Sequence, residues 1–396
     1  MEGLNHHQGS TMTTRIVCAV CFLTLSFLWL YWFQGDLLAV AQHSLSGGVT
    51  HYERTIGAVL ITLALLLLQL AVHGVTRLSR FTHALTYGPS FLGLAFLSDI
   101  TIVGAAPDVC PPSPGVCPPT VTVGHLWWLL ALLLVLWGVA VWLAREMMPF
   151  GREENQSTGL FSSRTWANLL QMAAMMLVVA AIGNTNAVDH FKAHAEIALM
   201  CGDDDEALRV GEKSLETDAH LTMLRAYALS RRGLMGERLF SYPIAGTSED
   251  LLPSRHRPLI LPAETIWKHL GARPAFPMKA QRFFHCLKAD SLASRAVADY
   301  ELCSLLIDRK LDAFVRLLPS HYDITAHLPR HYREALVLYA HKHSAGAGRD
   351  VPQMVDDEME QEWQQMQQLK SQYPEGSAQQ LKMLEQYRHT YWYYYN

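Results

Sequence analysis

The sequence predicts an all-α protein in two parts: a transmembrane helix bundle over residues 1–188 and a soluble array of tetratricopeptide-like α-hairpins over residues 189–396. Three observations carry that prediction. Runs of about 20 mostly apolar residues recur in the first part, enough for a helix rising about 1.5 Å per residue to cross a hydrocarbon layer roughly 30 Å thick. Charge is unevenly divided, with seven arginines, no lysine and eight acidic residues in 1–188 against 25 basic and 28 acidic residues in 189–396. From Asp189 onward the apolar pattern shortens to amphipathic segments of about 10–15 residues between turns. With 50% apolar and 17% charged residues the chain is not a disordered one. Neither part is basic enough to suggest a surface for phosphate backbones, which disfavours nucleic acid as a partner.

Four segments meet the spanning requirement plainly: residues 16–33, 56–75, 125–144 and 166–183. A fifth, residues 84–105, carries Gly88-Pro89 near its start and Asp99 near its end, and is expected to be the third of about five spans. The arginines support that count, because basic residues in short loops stay on the cytoplasmic side. Arg15, Arg77, Arg80, Arg145, Arg152 and Arg164 then share one side, and Arg54 alone occupies the other. The N-terminus is expected in the cytoplasm and the second part outside it. The aromatic residues at the span ends, such as Trp29, Trp32, Trp127 and Trp142, read as interfacial anchors.

Cys110 and Cys117 flank a proline-rich loop predicted to face an oxidising compartment, where a disulfide would close a small ring; two free thiols are the other reading. Asp99 is the one acidic residue within a predicted span. An ionisable group there is costly and therefore a functional candidate, although a hydrated or helix-capping carboxylate accounts for it as well. Asp36, in the first outer loop, is a second candidate carboxylate.

In the second part, predicted helices cover residues 190–200, 206–215 and 219–230, then, after the proline-rich loop 253–262, residues 265–270, 278–289, 291–307, 310–318, 332–343, 355–370 and 381–395. No run alternates convincingly enough for a β-strand. The glycine turns at Gly202 and Gly233 and the small residues Ala198, Ala207 and Ala228 suggest stacked helical hairpins. Cys201-Gly202-Asp203-Asp204-Asp205-Glu206 concentrates carboxylates at a helix start, where Asp203 or Asp204 would make a good N-cap. His190 and His194 lie four apart, too few for a metal site on their own. Cys286 and Cys303 could pair or remain two core thiols.

Several stretches carry a resemblance. The segment from Leu229 to Pro243, Trp267-Lys-His-Leu-Gly271, Lys279-Ala-Gln-Arg-Phe283, Tyr332-Arg-Glu-Ala-Leu336 and the ending Thr390-Tyr-Trp-Tyr-Tyr394 resemble an uncharacterised Bacteroidota family of multi-pass inner-membrane proteins, known as a domain of unknown function. The resemblance implies a bacterial inner membrane and a tetratricopeptide-like domain. It implies no activity, cofactor or catalytic residue.

No GxSxG elbow, Walker loop, GxGxxG or HExxH occurs, so no catalytic residue, metal or cofactor is expected. The expected partners are the lipid bilayer and another envelope protein, bound by the periplasmic helical domain through aromatic residues such as Tyr332, Tyr339, Trp363 and Tyr387. The alternative expectation is an accessory or transferase-like component of an envelope glycan or lipid pathway.

Overall fold

A computed structural model describes residues 2–103, 120–147, 162–276, 278–323, 327–344, 357–373 and 376–395. They divide into two compact units, one up to Asn186 and one from Ala187 onward.

The first unit holds six α-helices: α1 (Glu2–Leu28), α2 (Gly35–Leu45), α3 (Arg54–Thr76), α4 (Gly88–Ser98), α5 (Trp127–Met147) and α6 (Ser163–Ile182). A π-helical turn, Trp29–Phe33, extends α1. Four helices are long and apolar enough to cross a membrane, namely Met12–Phe33, α3, Trp127–Glu146 within α5, and α6.

The expected span over 84–105 is corrected. Residues Arg80–Tyr87 form a 3-10 helix, α4 supplies only 11 α-helical residues, and Ile100–Val103 is a strand, β1, paired antiparallel with β2, Thr120–Val123. Proline in the first turn suits the start of α4, while the β-branched run Ile100-Thr101-Ile102-Val103 favours extended backbone after it. The expectation of a strand-free chain is corrected with it. These two strands are the only ones among the described residues.

The chain nevertheless runs the length of the bundle five times. At one end Thr14 of α1 bonds Thr165 of α6 (3.2 Å), Arg145 of α5 donates to Thr76 O of α3 (3.2 Å), and Asn168 of α6 donates to Arg80 O at the start of the 3-10 helix (2.8 Å). At the other end Trp29 Nε1 donates to Ser98 Oγ (2.8 Å), Asn184 N donates to Ser98 O (2.8 Å), and Leu126 N donates to the Asp99 carboxylate (2.6 Å). Residues 80–98 therefore run from the first end to the second as the third pass of the chain through this unit, although only the other four passes are helices long and apolar enough to cross a membrane. Arg15, Arg77, Arg80, Arg145 and Arg164 gather at the first end, whereas Arg54 lies at the second, paired with Asp36.

The second unit begins with α7 (Ala187–Met200), α8 (Asp204–Arg209) and α9 (Ala219–Arg231), which pack on one another. Asp203 caps α8 by accepting Glu206 N (2.9 Å), and Asp218 caps α9 by accepting Leu221 N (2.8 Å). Gly233, with φ +67°, lets Leu234 N return to Leu229 O and close α9. There follow α10 (Met235–Arg238), α11 (Ala263–Leu270), α12 (Ala280–Ala289), α13 (Ala296–Ile307), α14 (Leu311–Leu317), α15 (Arg330–Ser344), α16 (Asp357–Gln372), α17 (Ser377–Tyr387) and α18 (Tyr391–Tyr395).

Helix α9 is buried from His220 to Ser230 and packs against α13, so these two form the centre of the unit. Hairpin pairs occur at α7–α8 and α13–α14. The unit also makes contacts that a nearest-neighbour array does not, with α10 against α15 and α18 against Leu239–Ser241.

Candidate functional site

The first candidate is the interrupted third pass. A short 3-10 helix has weak i→i+3 bonds and unpaired backbone groups at its ends, and away from water these need partners within the protein. Here neutral side chains supply them, from neighbouring helices and, at Thr86, from the 3-10 helix itself. Asn168 Oδ1 accepts Ala84 N (2.7 Å), and its Nδ2 donates to Arg80 O. Gln171 Nε2 donates to Phe81 O (2.8 Å), Thr86 Oγ1 to His83 O (2.8 Å) and Trp137 Nε1 to Leu85 O (2.7 Å). Gln69 on α3 donates to Thr86 Oγ1 (3.0 Å). His83 is buried with its ring perpendicular to that of His73, centroids 5.2 Å apart. Where the 3-10 helix becomes α4, Gly88 has no side chain, and a Cβ there would lie 2.3 Å from the Trp137 ring. Trp137 can therefore lie across the joint. Beside it an apolar cavity of about 140 Å³ is lined by α4, α5 and α6.

The second unit holds its polar groups differently, through buried carboxylates. Glu196 of α7 is fully buried and accepts three consecutive backbone N–H groups, from Leu259 (2.8 Å), Ile260 (2.7 Å) and Leu261 (3.0 Å). It thereby clasps the proline-rich loop, whose backbone has no regular helical partners. Glu334 of α15 is likewise fully buried. It receives His331 Nδ1 (2.8 Å), Arg330 Nε (2.9 Å) and Tyr391 N (2.7 Å), while Trp392 Nε1 donates to its carbonyl (2.7 Å). His331 Nε2 accepts Phe240 N (3.2 Å), so both ring nitrogens are occupied in the neutral tautomer.

On α13, Asp299 Oδ1 accepts the phenols of Tyr322 (2.6 Å) and Tyr332 (2.8 Å), and Glu301 faces Lys288 (2.7 Å) and His321 (3.0 Å). Burial and then the Asp299 charge push the Cys303 thiol well above its ordinary value, which makes it a poor nucleophile. Burial pulls the Arg225 guanidinium down to about 10, and this side chain donates to Val210 O and Gly211 O beneath the turn after α8.

The residues singled out from sequence fall in scattered places. Asp99 is a capping carboxylate at the start of α5, and Asp36 is held by Arg54. Tyr332 and Trp363 are corrected as partner-binding candidates, because both are internal. Tyr332 has no exposed surface, and Trp363 packs between the His341 and Trp392 rings. Tyr339 and Tyr387 stay half-buried. Cys110 and Cys117 lie outside the described residues. Cys286 and Cys303 are free thiols. His194 faces Glu206 (3.3 Å), and no group of three metal-ligating side chains occurs among the described residues. Sequence reading missed the clasping roles of Glu196 and Glu334. The available signal was a lone glutamate on an otherwise apolar or alanine-rich helical face.

The helices and the interrupted pass define a membrane-associated helical protein with a second, charged helical unit. Residues 277–396, from just before α12 to the last residue, match a family described as a family of unknown function (DUF6057). Comparison with curated proteins and with solved structures gives no match.

Proposed function

We propose that this is a five-pass protein of a bacterial inner membrane, of the kind found in Bacteroidota, with a cytoplasmic N-terminus and a periplasmic second unit that binds or organises other envelope proteins. The observation that carries the orientation is the gathering of five arginines at one end of five alternating passes, with Arg54 at the other end neutralised by Asp36. The chain leaves the bundle, at Asn184, from the end opposite those arginines.

A binding role is supported by the occupation of three buried carboxylates and the half-buried Asp299. Glu196 holds a loop, Glu334 a helix start, Asp299 two tyrosines and Glu301 the side chains of Lys288 and His321, all within their own unit. The tetratricopeptide-like reading draws on the packed pairs α7–α8 and α13–α14, with the half-buried Tyr339 and Tyr387 as the aromatic contacts for a partner.

The test joins a periplasm-dependent phosphatase and a cytoplasm-dependent fluorescent reporter to the C-terminus in separate fusions. Phosphatase activity without fluorescence is expected, and the reverse overturns the orientation. A stoichiometric complex recovered from membranes, and lost in a folded Tyr339→Ser/Tyr387→Ser variant, is the expected result for the binding role.

A further inference from the structure

The cavity beside the interrupted third pass opens between α5 and α6. Its floor is Gly88 and Phe91 of α4, one wall is Leu133 and Trp137 of α5, and the other is Met175 and Val178 of α6. Every one of these side chains is apolar or glycine. The indole N–H, the one polar group among them, is already bonded to Leu85 O. A polar ligand would therefore lose its hydration without replacement, and water would find no partners.

Size and depth narrow the occupant. A 150 Å³ apolar cavity accepts a benzene molecule, so about 140 Å³ holds a comparable run of roughly six carbons. Leu133 and Trp137 are about 9–15 Å along α5 from its first residue at 1.5 Å per residue, near the middle of a hydrocarbon layer roughly 30 Å thick. The cavity is open on one side, its lining residue Val178 is 37% exposed, and Leu136 and Leu177, next along the chain from lining residues, are 54% and 71% exposed, so it opens onto the apolar outer surface of these helices. An unfilled cavity there forfeits dispersion contacts along its whole lining. Met175, unbranched and adaptable, gives one wall that follows a flexible chain.

We propose that this groove binds one acyl chain of a bilayer phospholipid, held between α5 and α6 against the Gly88–Trp137 joint as a resident chain distinct from the surrounding lipid. Gly88 is the residue that makes the site, since a side chain there would displace Trp137 and remove the wall.

The test reconstitutes the full chain in nanodiscs of phosphatidylcholine doped with phosphatidylcholine bearing a diazirine at mid-chain, and maps photolabels by peptide mass spectrometry. Labelling at Leu133 and Met175 is expected to exceed, several-fold, that at the more exposed Leu136 and Leu177. Met175→Trp, which fills the groove, is expected to abolish the excess while labelling at Leu177 persists. Leu133→Phe, a milder filling, is expected to reduce it, which keeps the test open if the tryptophan variant fails to fold. Labelling that simply follows exposure overturns the proposal. So does an excess that survives Met175→Trp, or an unlabelled groove accompanied by cross-linked dimers. Labelling of the groove by an isoprenoid diazirine but not by the phospholipid probe overturns it as well.

Discussion

The two units solve the same problem, a buried stretch of irregular backbone, with different chemistry. In the first unit the 3-10 segment Arg80–Tyr87 is satisfied by amides, a hydroxyl and an indole from Asn168, Gln171, Thr86 and Trp137. In the second, the loop through Leu259–Leu261 and the start of α18 at Tyr391 are satisfied by the carboxylates of Glu196 and Glu334. An ionised group among lipid-facing helices is costly at mid-depth, and neutral donors and acceptors meet the need without that penalty. In a unit with an ordinary charged surface, a carboxylate accepting several N–H groups forms stronger, charge-assisted bonds, and its burial is offset by them. The difference is the one expected if the 3-10 segment lies within a membrane and the second unit does not; where the first unit does use a buried carboxylate, Asp99 on Leu126 N, it sits at an end of the bundle.

The comparison is broken most severely at Glu334. Its removal in Glu334→Ala leaves His331 Nδ1 and Tyr391 N without their acceptor and Arg330 with Glu362 alone, and a loss of about 3–5 kcal/mol in unfolding free energy is expected, read by chemical denaturation of the full chain in detergent. A loss below about 1 kcal/mol would show that water replaces the carboxylate and that α18 is not anchored by it. Asn168→Ala, in the first unit, exposes one N–H and one carbonyl of the 3-10 helix. The expected cost is smaller, about 1–3 kcal/mol, with α6 retained, measured by thermal unfolding in the same detergent.

The smallest expected effect is a pH dependence in the second unit. Burial, and then the neighbouring Arg231 charge, hold the His269 imidazole below its ordinary value. A depressed folded-state value means that the unfolded chain takes up the proton first, so stability is full above about pH 6.5 and declines as pH falls through the folded-state value. The decline between about pH 7 and pH 5 should be shallower in His269→Gln, which keeps a polar group facing Ser230. Identical slopes in the two proteins would remove His269 from the account.

Much of this architecture is legible along the chain because it rests on short-range physics. Runs of apolar residues mark α1, α3, α5 and α6, and the acidic cluster before α8 reads as a cap, with Asp203 as the capping residue. The positions of the glycine turns after α7 and α9 follow from φ values that glycine adopts readily. The third pass is the instructive miss. Residues 84–105 have the composition of a span, yet Asp99 ends the helix and its carboxylate accepts Leu126 N, 27 residues away. The aromatic ending turns inward. Tyr391 and Trp392 are wholly buried, with Tyr391 Oη donating to Leu306 O (3.1 Å) and Tyr394 Oη to Ile307 O (2.9 Å). Composition alone cannot separate an aromatic tail that fills its own core from one that meets a partner.

The amino-acid sequence by itself determined the helical class, the four long apolar helices, the change of character near residue 188, and most helix starts and stops, because propensity, periodicity and capping act over a few residues. Only the tertiary structure decided that the third pass is part 3-10 and part α-helix, that Asp99 caps rather than faces lipid, that Glu196 and Glu334 are internal clasps, and that Gly88 leaves room for Trp137 beside an apolar groove. Each of those depends on partners from 27 to 90 residues apart, whose meeting is set by how whole helices pack.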